Sequence, residues 1–508
     1  MINIELDKKS GKPLYVQIRD QVNQAIENGA VKPGDKLPTV AAFAKSVGVT
    51  QATIRRAFED LKKQGKTQCH VGRGTFVSDQ GEIISEEEST PLSGQAALEK
   101  HTLPARAARQ LRQRVSKGLC DLMTAASRPG TIDFSKGVPD PGLMDEGLFE
   151  KMVGSALQKG ANDYLSYGDL QGMPELRECI AARYGDKGVA ISPDQVLITV
   201  GSQQGVSIAA VDAAEKSRQV FIETPGFQGV VDAFTSHGNW VETVTSANGM
   251  NMADQLASRA TGQCNLLSLC PEFQNPTGET FSIDQRQAVA SWARQNNGIV
   301  LSDEVFEELR LDDDPVEPMI RLLGDERTIL VSSLSKSLMP GLRVGWMISS
   351  SVRIREFMRI KRLMAQTGPP LMQGVATAFL QSNAHDEHLE KVKNIYRERR
   401  DTMLLALNDL MPDGVSWTRP TGGFSLWVTL PQGYSSVALL ISLLDKGVNM
   451  APGPIFDMNQ GFVNAFRLGW AWTDLSDIQK GMELLAEAVK ELLRRSPGDA
   501  GLSGLGHF

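Results

Sequence analysis

The sharpest chemistry in this chain sits at Lys336, inside Ser333-Leu334-Ser335-Lys336-Ser337-Leu338-Met339-Pro340-Gly341-Leu342-Arg343. A primary amine flanked by hydroxyls, with a guanidinium close behind, can condense with an aldehyde while the serines and Arg343 neutralise a phosphate. Pyridoxal 5′-phosphate (PLP) carries both groups. A short motif is only a hypothesis, so the rest of the chain must supply a ring site and a phosphate site around that amine.

The other parts follow in order. Gly201-Ser202-Gln203-Gln204-Gly205 follows an apolar run and opens a helical one, so Ser202, Gln203 and the free N–H groups there can hold a phosphate. Glu223-Thr224-Pro225-Gly226-Phe227 offers the Phe227 ring as a stacking face. Pro271-Glu272-Phe273-Gln274-Asn275-Pro276-Thr277-Gly278 places the Asn275 amide where it can meet a phenolic oxygen. Asp303-Glu304-Val305-Phe306 supplies a carboxylate that can keep a pyridine nitrogen protonated, which makes the ring an electron sink. Singly, each has a duller reading as a turn or as core. Together they describe one pocket.

These motifs need an α/β scaffold. Apolar runs at 195–200, 219–223, 265–270, 298–302 and 328–332 alternate with amphipathic stretches. The pattern predicts a mostly parallel sheet with its binding crevice at the strand carboxyl ends, where the motifs fall. A smaller C-terminal α+β subdomain should complete a body spanning residues 130–495.

Composition narrows the setting. With 508 residues and 41% hydrophobic content, the chain can bury several cores. No apolar run reaches about 18 residues, and the first residues lack the apolar stretch of a secretory signal. Five cysteines at irregular spacing, with no CxxC, predict neither a disulfide framework nor a metal site. A soluble, cytoplasmic protein of prokaryotic type is expected. The net charge of −7 hides an asymmetry: residues 1–78 hold 13 Lys and Arg against 7 Asp and Glu, and the other 430 hold 40 against 53. A basic head on an acidic body points to a polyanion that meets the head alone.

The head has its own pattern. Pro13–Ile18 leads into a helix with apolar Val16, Ile18, Val22 and Ile26, ending at Asn28-Gly29. Pro38-Thr39 should start a second helix, Val47-Gly48-Val49 turns the chain, and Thr50 should cap a third over 51–63. Then His70-Val71-Gly72-Arg73-Gly74-Thr75-Phe76-Val77 reads as a hairpin with Arg73 at its tip. Two helices, a glycine turn and a basic third helix make a helix-turn-helix, and the hairpin is a wing. Residues 79–129 join head to body: a Glu/Ser/Gly/Pro-rich linker, then from Pro104 a basic stretch expected to be helical.

The order PLYVQI, VKPGDKLPT, VGVTQATIRRAFEDL, GRGTFV resembles the GntR type of winged-helix DNA-binding domain over about residues 11–78. That resemblance implies DNA contacts by Gln51, Thr53, Arg55 and Arg56 on the third helix and by Arg73 on the wing. Two positions depart from the family, Ala41 and Gln51, where arginine is common. Residues 130–495 resemble the fold type I aminotransferases of class I/II. That resemblance implies that Tyr167 donates to the phosphate of a neighbouring subunit, making a homodimer with shared sites. It also implies that Arg467 grips a ligand carboxylate and that Gly137 lines the substrate side. Where many aminotransferases have a tyrosine to bond the cofactor's phenolate oxygen, this chain has Phe306, which puts transamination in doubt.

The two parts together resemble the MocR subfamily of bacterial regulators. The function implied is a sequence-specific transcriptional regulator that binds operator repeats in double-stranded DNA. Its body would sense a small amino compound by external aldimine formation at Lys336. The competing expectation is a working aminotransferase that carries a DNA-binding head.

Overall fold

In the computed structural model the chain divides into two compact units, Met1–Lys100 and His101–Phe508. The structure describes residues 4, 6, 14–32, 35–63, 66–70, 74–77, 117–245, 252–259 and 265–497.

In the first unit, helices α1 (Leu14–Glu27), α2 (Val40–Val47) and α3 (Gln51–Lys63) precede an antiparallel hairpin, β1 (Thr67–His70) and β2 (Gly74–Val77). Local chemistry sets the boundaries. The Thr39 hydroxyl accepts from the Ala42 N–H at 3.3 Å, starting α2, and Gly48 ends it at φ 68°. Thr50 accepts from the Thr53 N–H at 3.3 Å, starting α3. The apolar faces meet in one core of Ile18, Val22, Phe43, Ile54, Ala57, Phe58, Leu61 and Val77. Of the four apolar positions expected in α1, Ile18 and Val22 are fully enclosed, while Val16 and Ile26 are half-buried at the edge.

In the second unit a helix covers 117–126; residues 104–116 of the expected helical stretch lie outside the described residues. Seven strands form the main sheet: β4 (Val196–Thr199), β5 (Gln219–Glu223), β6 (Val241–Val244), β7 (Asn265–Leu269), β8 (Gly298–Asp303), β9 (Thr328–Ser333) and β10 (Gly345–Ile348). Their order is β4-β10-β9-β8-β7-β5-β6. All neighbours are parallel except around β10, which runs antiparallel to both β4 and β9. Near-continuous apolar sequence suits strands covered on both faces. Alternation sorts them: Ile329 and Val331 of β9 join one core, and Leu330 between them joins another. The expected strand ends shift by a residue or so; Gln195, for example, belongs to a 3₁₀ turn capped by Ser192.

The C-terminal part is the expected smaller α+β layer. Strands β11 (Ser416–Trp417), β12 (Ser425–Thr429), β15 (Ala465–Gly469) and β14 (Ala451–Pro452) form an antiparallel sheet in that order. Beside it, β13 (Val448–Asn449) pairs in parallel with β3 (Ile132–Asp133), an early strand that ties the start of the body to its end.

Within the head, the Phe43 and Phe58 rings lie 5.7 Å apart and join α2 to α3. Phe58→Ala leaves a cavity and should destabilise that unit by about 3–5 kcal/mol. Thermal melts of the full chain should show an early transition, with the second unit's melting unchanged.

Candidate cofactor and ligand site

The strand ends of the main sheet deliver the predicted groups to one cavity of about 260 Å³. Gly201, Ser202, Gln203, Phe227, Asn275, Asp303, Phe306, Lys336 and Arg343 line it, with Glu223, Cys270 and Ser335.

The phosphate side is built at the end of β4. Gly201, at φ 81°, precedes helix Ser202–Glu215, whose first N–H groups have no partner within the helix. A Cβ at Gly201 would lie 2.9 Å from the Arg343 guanidinium, so glycine is what lets that cation come close. Arg343 donates to the Val200 carbonyl at 2.9 Å. The Gln203 side chain is occupied elsewhere, donating to the Gly229 carbonyl at 2.8 Å, which leaves Gln203 its backbone for an anion.

The serines around Lys336 are sorted differently from the sequence expectation. The Ser333 hydroxyl is buried; it accepts from the Ser335 N–H at 3.0 Å and donates to the Val344 carbonyl at 3.1 Å. It caps the short helix Leu334–Ser337 rather than facing the cavity. Ser335 lines the wall instead. Ser337 turns away, placing its hydroxyl 3.2 Å from His385 Nε2. Ser333 is the extended cap before the turn, and Ser335 and Ser337, two positions apart within it, point about 200° from each other, so the three hydroxyls do not converge.

The Lys336 amine donates to the Gly137 carbonyl at 2.6 Å and lies 5.5 Å from the centre of the Phe306 ring. Burial, then the Arg467 cation, lower its pKa to about 8, although Asp303 pulls the other way. Asp303, at the end of β8, is raised to about 6 by burial, countered by the Val305 N–H and by Lys336. Phe306 packs edge-on against Phe424 at 5.6 Å and brings no hydroxyl to this wall.

Arg467 lies on β15 and is 7% exposed. Its Nη1 donates to Asn275 Oδ1 at 2.7 Å, its Nη2 donates to the Ser135 carbonyl, and its Nε has no partner. A buried guanidinium with an unsatisfied N–H fits a grip that awaits a carboxylate. Burial lowers its pKa to about 10. A Cβ at Gly137 would lie 3.3 Å from Nη1, so glycine makes room for that cation. Asn275 is presented by a loop fixed from beneath: Glu272 is paired with Arg286 at 3.1 Å and with Arg310, all three little exposed.

Sequence reasoning passed over Glu223. It ends β5, accepts from the Cys270 N–H at 3.0 Å, and is raised to about 8 by burial. An acid closing the apolar run QVFIE was the available signal.

Tyr167 is 80% exposed and takes no part in the cavity of its own chain. In the head, Arg56 is exposed and stacks 4.2 Å over the Tyr15 ring, while Thr53 bonds the Thr50 hydroxyl at 2.9 Å. Arg73 lies outside the described residues, as do the side chains of Gln51 and Arg55. Among the described residues no His/Cys/Asp/Glu group is arranged to hold a metal ion, and no helix is long and apolar enough to cross a membrane.

Comparison with known proteins agrees with this geometry. Residues 131–485 match the family of aminotransferases, class I and II. The chain belongs to that family. Residues 14–77 match the bacterial regulatory proteins of the gntR family. An uncharacterized HTH-type transcriptional regulator of Bacillus subtilis, YdfD, is 26% identical over 96% of this chain and 99% of its own. Among solved structures, LysN, the α-aminoadipate aminotransferase of Thermus thermophilus, complexed with N-(5′-phosphopyridoxyl)-L-leucine, is 29% identical. It covers 72% of this chain and 94% of its own, with a TM-score of 0.67. The kynurenine aminotransferase of Pyrococcus horikoshii is 28% identical over 79% of this chain and 98% of its own, with a TM-score of 0.69. The cofactor of this body is PLP, and the donor set fits it: an amine, a buried carboxylate, and a glycine-lined cup closed by Arg343.

The lowered lysine pKa can be tested directly. The free amine is the nucleophile, and with a pKa of about 8 roughly a tenth of Lys336 is free at pH 7. Capture of added PLP by cofactor-free protein, followed by absorbance, should rise about fivefold from pH 7 to pH 8 and level off above about pH 9. An amine with the ordinary lysine pKa would keep accelerating beyond pH 10.

Proposed function

We propose that this chain is a PLP-dependent transcriptional regulator that binds operator repeats through its winged head and senses a small amino compound at Lys336. The observation that carries this reading is one chain holding both a gntR-type reader and a cavity with amine, carboxylate and guanidinium in place. Relatives that align over nearly the whole of both chains, such as YdfD, are named as regulators.

When bound, the cofactor supplies an aldehyde for which Lys336 and an incoming amine compete, and a ring that withdraws electrons. The chain's own residues divide the remaining work. Asp303 would hold the proton of the ring nitrogen, staying ionised beside it. Helix Ser202–Glu215, Ser335 and Arg343 fix the phosphate. Arg467 selects ligands that carry a carboxylate. Phe306 brings no hydrogen bond to the phenolic oxygen, leaving Asn275 as the donor on that side, which disfavours turnover and favours a site that binds and waits. Differential affinity of the ligand for two states of the body then drives the switch.

Further parts of the reading rest on the two-part build, which resembles the MocR subfamily: a bacterial, cytoplasmic homodimer in which the exposed Tyr167 reaches the phosphate of the partner's site. Gln51, Thr53, Arg55, Arg56 and the wing Arg73 are its candidate DNA contacts.

The test is a gel shift of the full chain on the DNA upstream of its own gene, with and without PLP and a panel of amino compounds. Sequence-selective retardation that an amine alters is expected, and Lys336→Ala should keep DNA binding while losing the response. Absence of a selective shift under every condition rejects the reading. A second reading, an active aminotransferase with a localising head, is favoured by the aminotransferase family match and the full site. Rapid single-turnover conversion of the bound cofactor to its pyridoxamine form would establish it.

A further inference from the structure

Arg467 is anchored to the backbone at Ser135, and that anchor leads to one helix. Its Nη2 donates to the Ser135 carbonyl. Ser135 is held in turn by Asp133, whose Oδ1 accepts from the Ser135 N–H at 2.9 Å and from its hydroxyl at 2.6 Å. Asp133 Oδ2 accepts from the Ser127 hydroxyl. A second route runs through Asn449, which faces Asp133 across the β13–β3 pair. Its Nδ2 donates to the Ser135 hydroxyl at 3.2 Å and to the Met123 carbonyl at 3.0 Å. Met123 lies in helix 117–126, and Ser127 follows its last turn.

Among the described residues, little else holds that helix. Within 117–126 only Met123 is buried, and Leu119 is partly buried against the same core. In sequence it is the first described element after residues 78–116, which lead back to the head. A weakly packed helix bound by a few polar contacts is the kind of element whose stability a single hydrogen bond can shift.

A ligand carboxylate disturbs this anchor. The unsatisfied Nε of Arg467 shares an edge with Nη2. A carboxylate that takes this edge bidentately draws on the nitrogen that now serves Ser135. The full charge on the ligand draws the guanidinium toward it, and the bond to the neutral Ser135 carbonyl weakens. The hold on Ser135 is then loosened on one side, and with it that of Asp133 and Asn449.

We propose that Asn449 and Asp133 couple occupancy of Arg467 to helix 117–126, making that helix the element through which the body reports a bound carboxylate. Asn449 is the positioning residue of the coupling. The proposal rests on the reading of Arg467 as the carboxylate grip and adds the route by which that grip is felt elsewhere.

Cys120, exposed on the helix, is a built-in reporter. Its alkylation by a maleimide can be timed by peptide mass spectrometry in the full, cofactor-loaded chain, with the half-buried Cys179 as internal control. Arg467→Met removes the bond to Ser135, and Arg467→Lys removes the guanidinium edge through which ligand and Ser135 share Nη2. Each should raise the Cys120 rate about fivefold, the low end of ordinary coupling energies, with Cys179 unchanged. Burial raises the pKa of this thiol and the Arg467 cation opposes that rise, so electrostatics alone predict a slower rate in the methionine variant. An unaltered Cys120 rate, or an equal rise at Cys179, overturns the coupling.

In a second arm, each of the protein amino acids is added to the wild type and to Asn449→Ala. Those that change the cofactor's absorbance should change the Cys120 rate in the wild type. In Asn449→Ala the absorbance change should persist while the Cys120 response disappears. A response undiminished in that variant overturns the role given to Asn449. Should no amino acid change the absorbance, the amino-acid-sensing reading fails, and the Arg467 variants still decide the coupling.

Discussion

A primary amine kept out of water is the constraint on which this body turns. Lys336 is useful as a nucleophile near neutral pH only because burial and the Arg467 cation make its proton easy to lose. Those conditions would also repel a second cation or expel an unpaired acid. The cavity meets the cost by pairing: Asp303 faces Lys336, Asn275 bonds Arg467, and the Gly137 carbonyl receives the amine. Each neutralising group comes from a different strand end or loop, so the geometry depends on the whole sheet. It cannot be carried by one segment.

Much of this was legible in the sequence because the deciding features are local. Apolar runs give strands, a threonine or serine before a periodic stretch gives a helix start, and glycines mark Gly48 and Gly201, where φ is positive. The head was readable for the same reason, since its caps and its turn lie within a few residues of each other. The set of cavity residues was legible because strand carboxyl ends converge in such sheets.

What stayed hidden depends on direction and on distance in the chain. Three serines around Lys336 look equivalent on paper, yet one caps the turn from outside it, one faces the cavity and one meets His385. Asn449 is unremarkable in its own neighbourhood; its meaning comes from a partner more than three hundred residues earlier. Glu223 looked like the last residue of a strand, and only burial turns it into a carboxyl held at about 8. Direction, pairing and burial decide these cases, and no local pattern encodes the last two.

The antiparallel strand β10 has one more consequence. It brings Gly345 against the turn at Gly201, and a side-chain carbon at Gly345 would sit 2.6 Å from the Gly201 backbone. The cup that receives the phosphate is therefore sized in part by Gly345, which backs the Gly201 turn without lining the cavity. Genetic selection for chains blind to the vitamin should return position 345 as readily as the lysine itself, though nothing at 345 ever touches it.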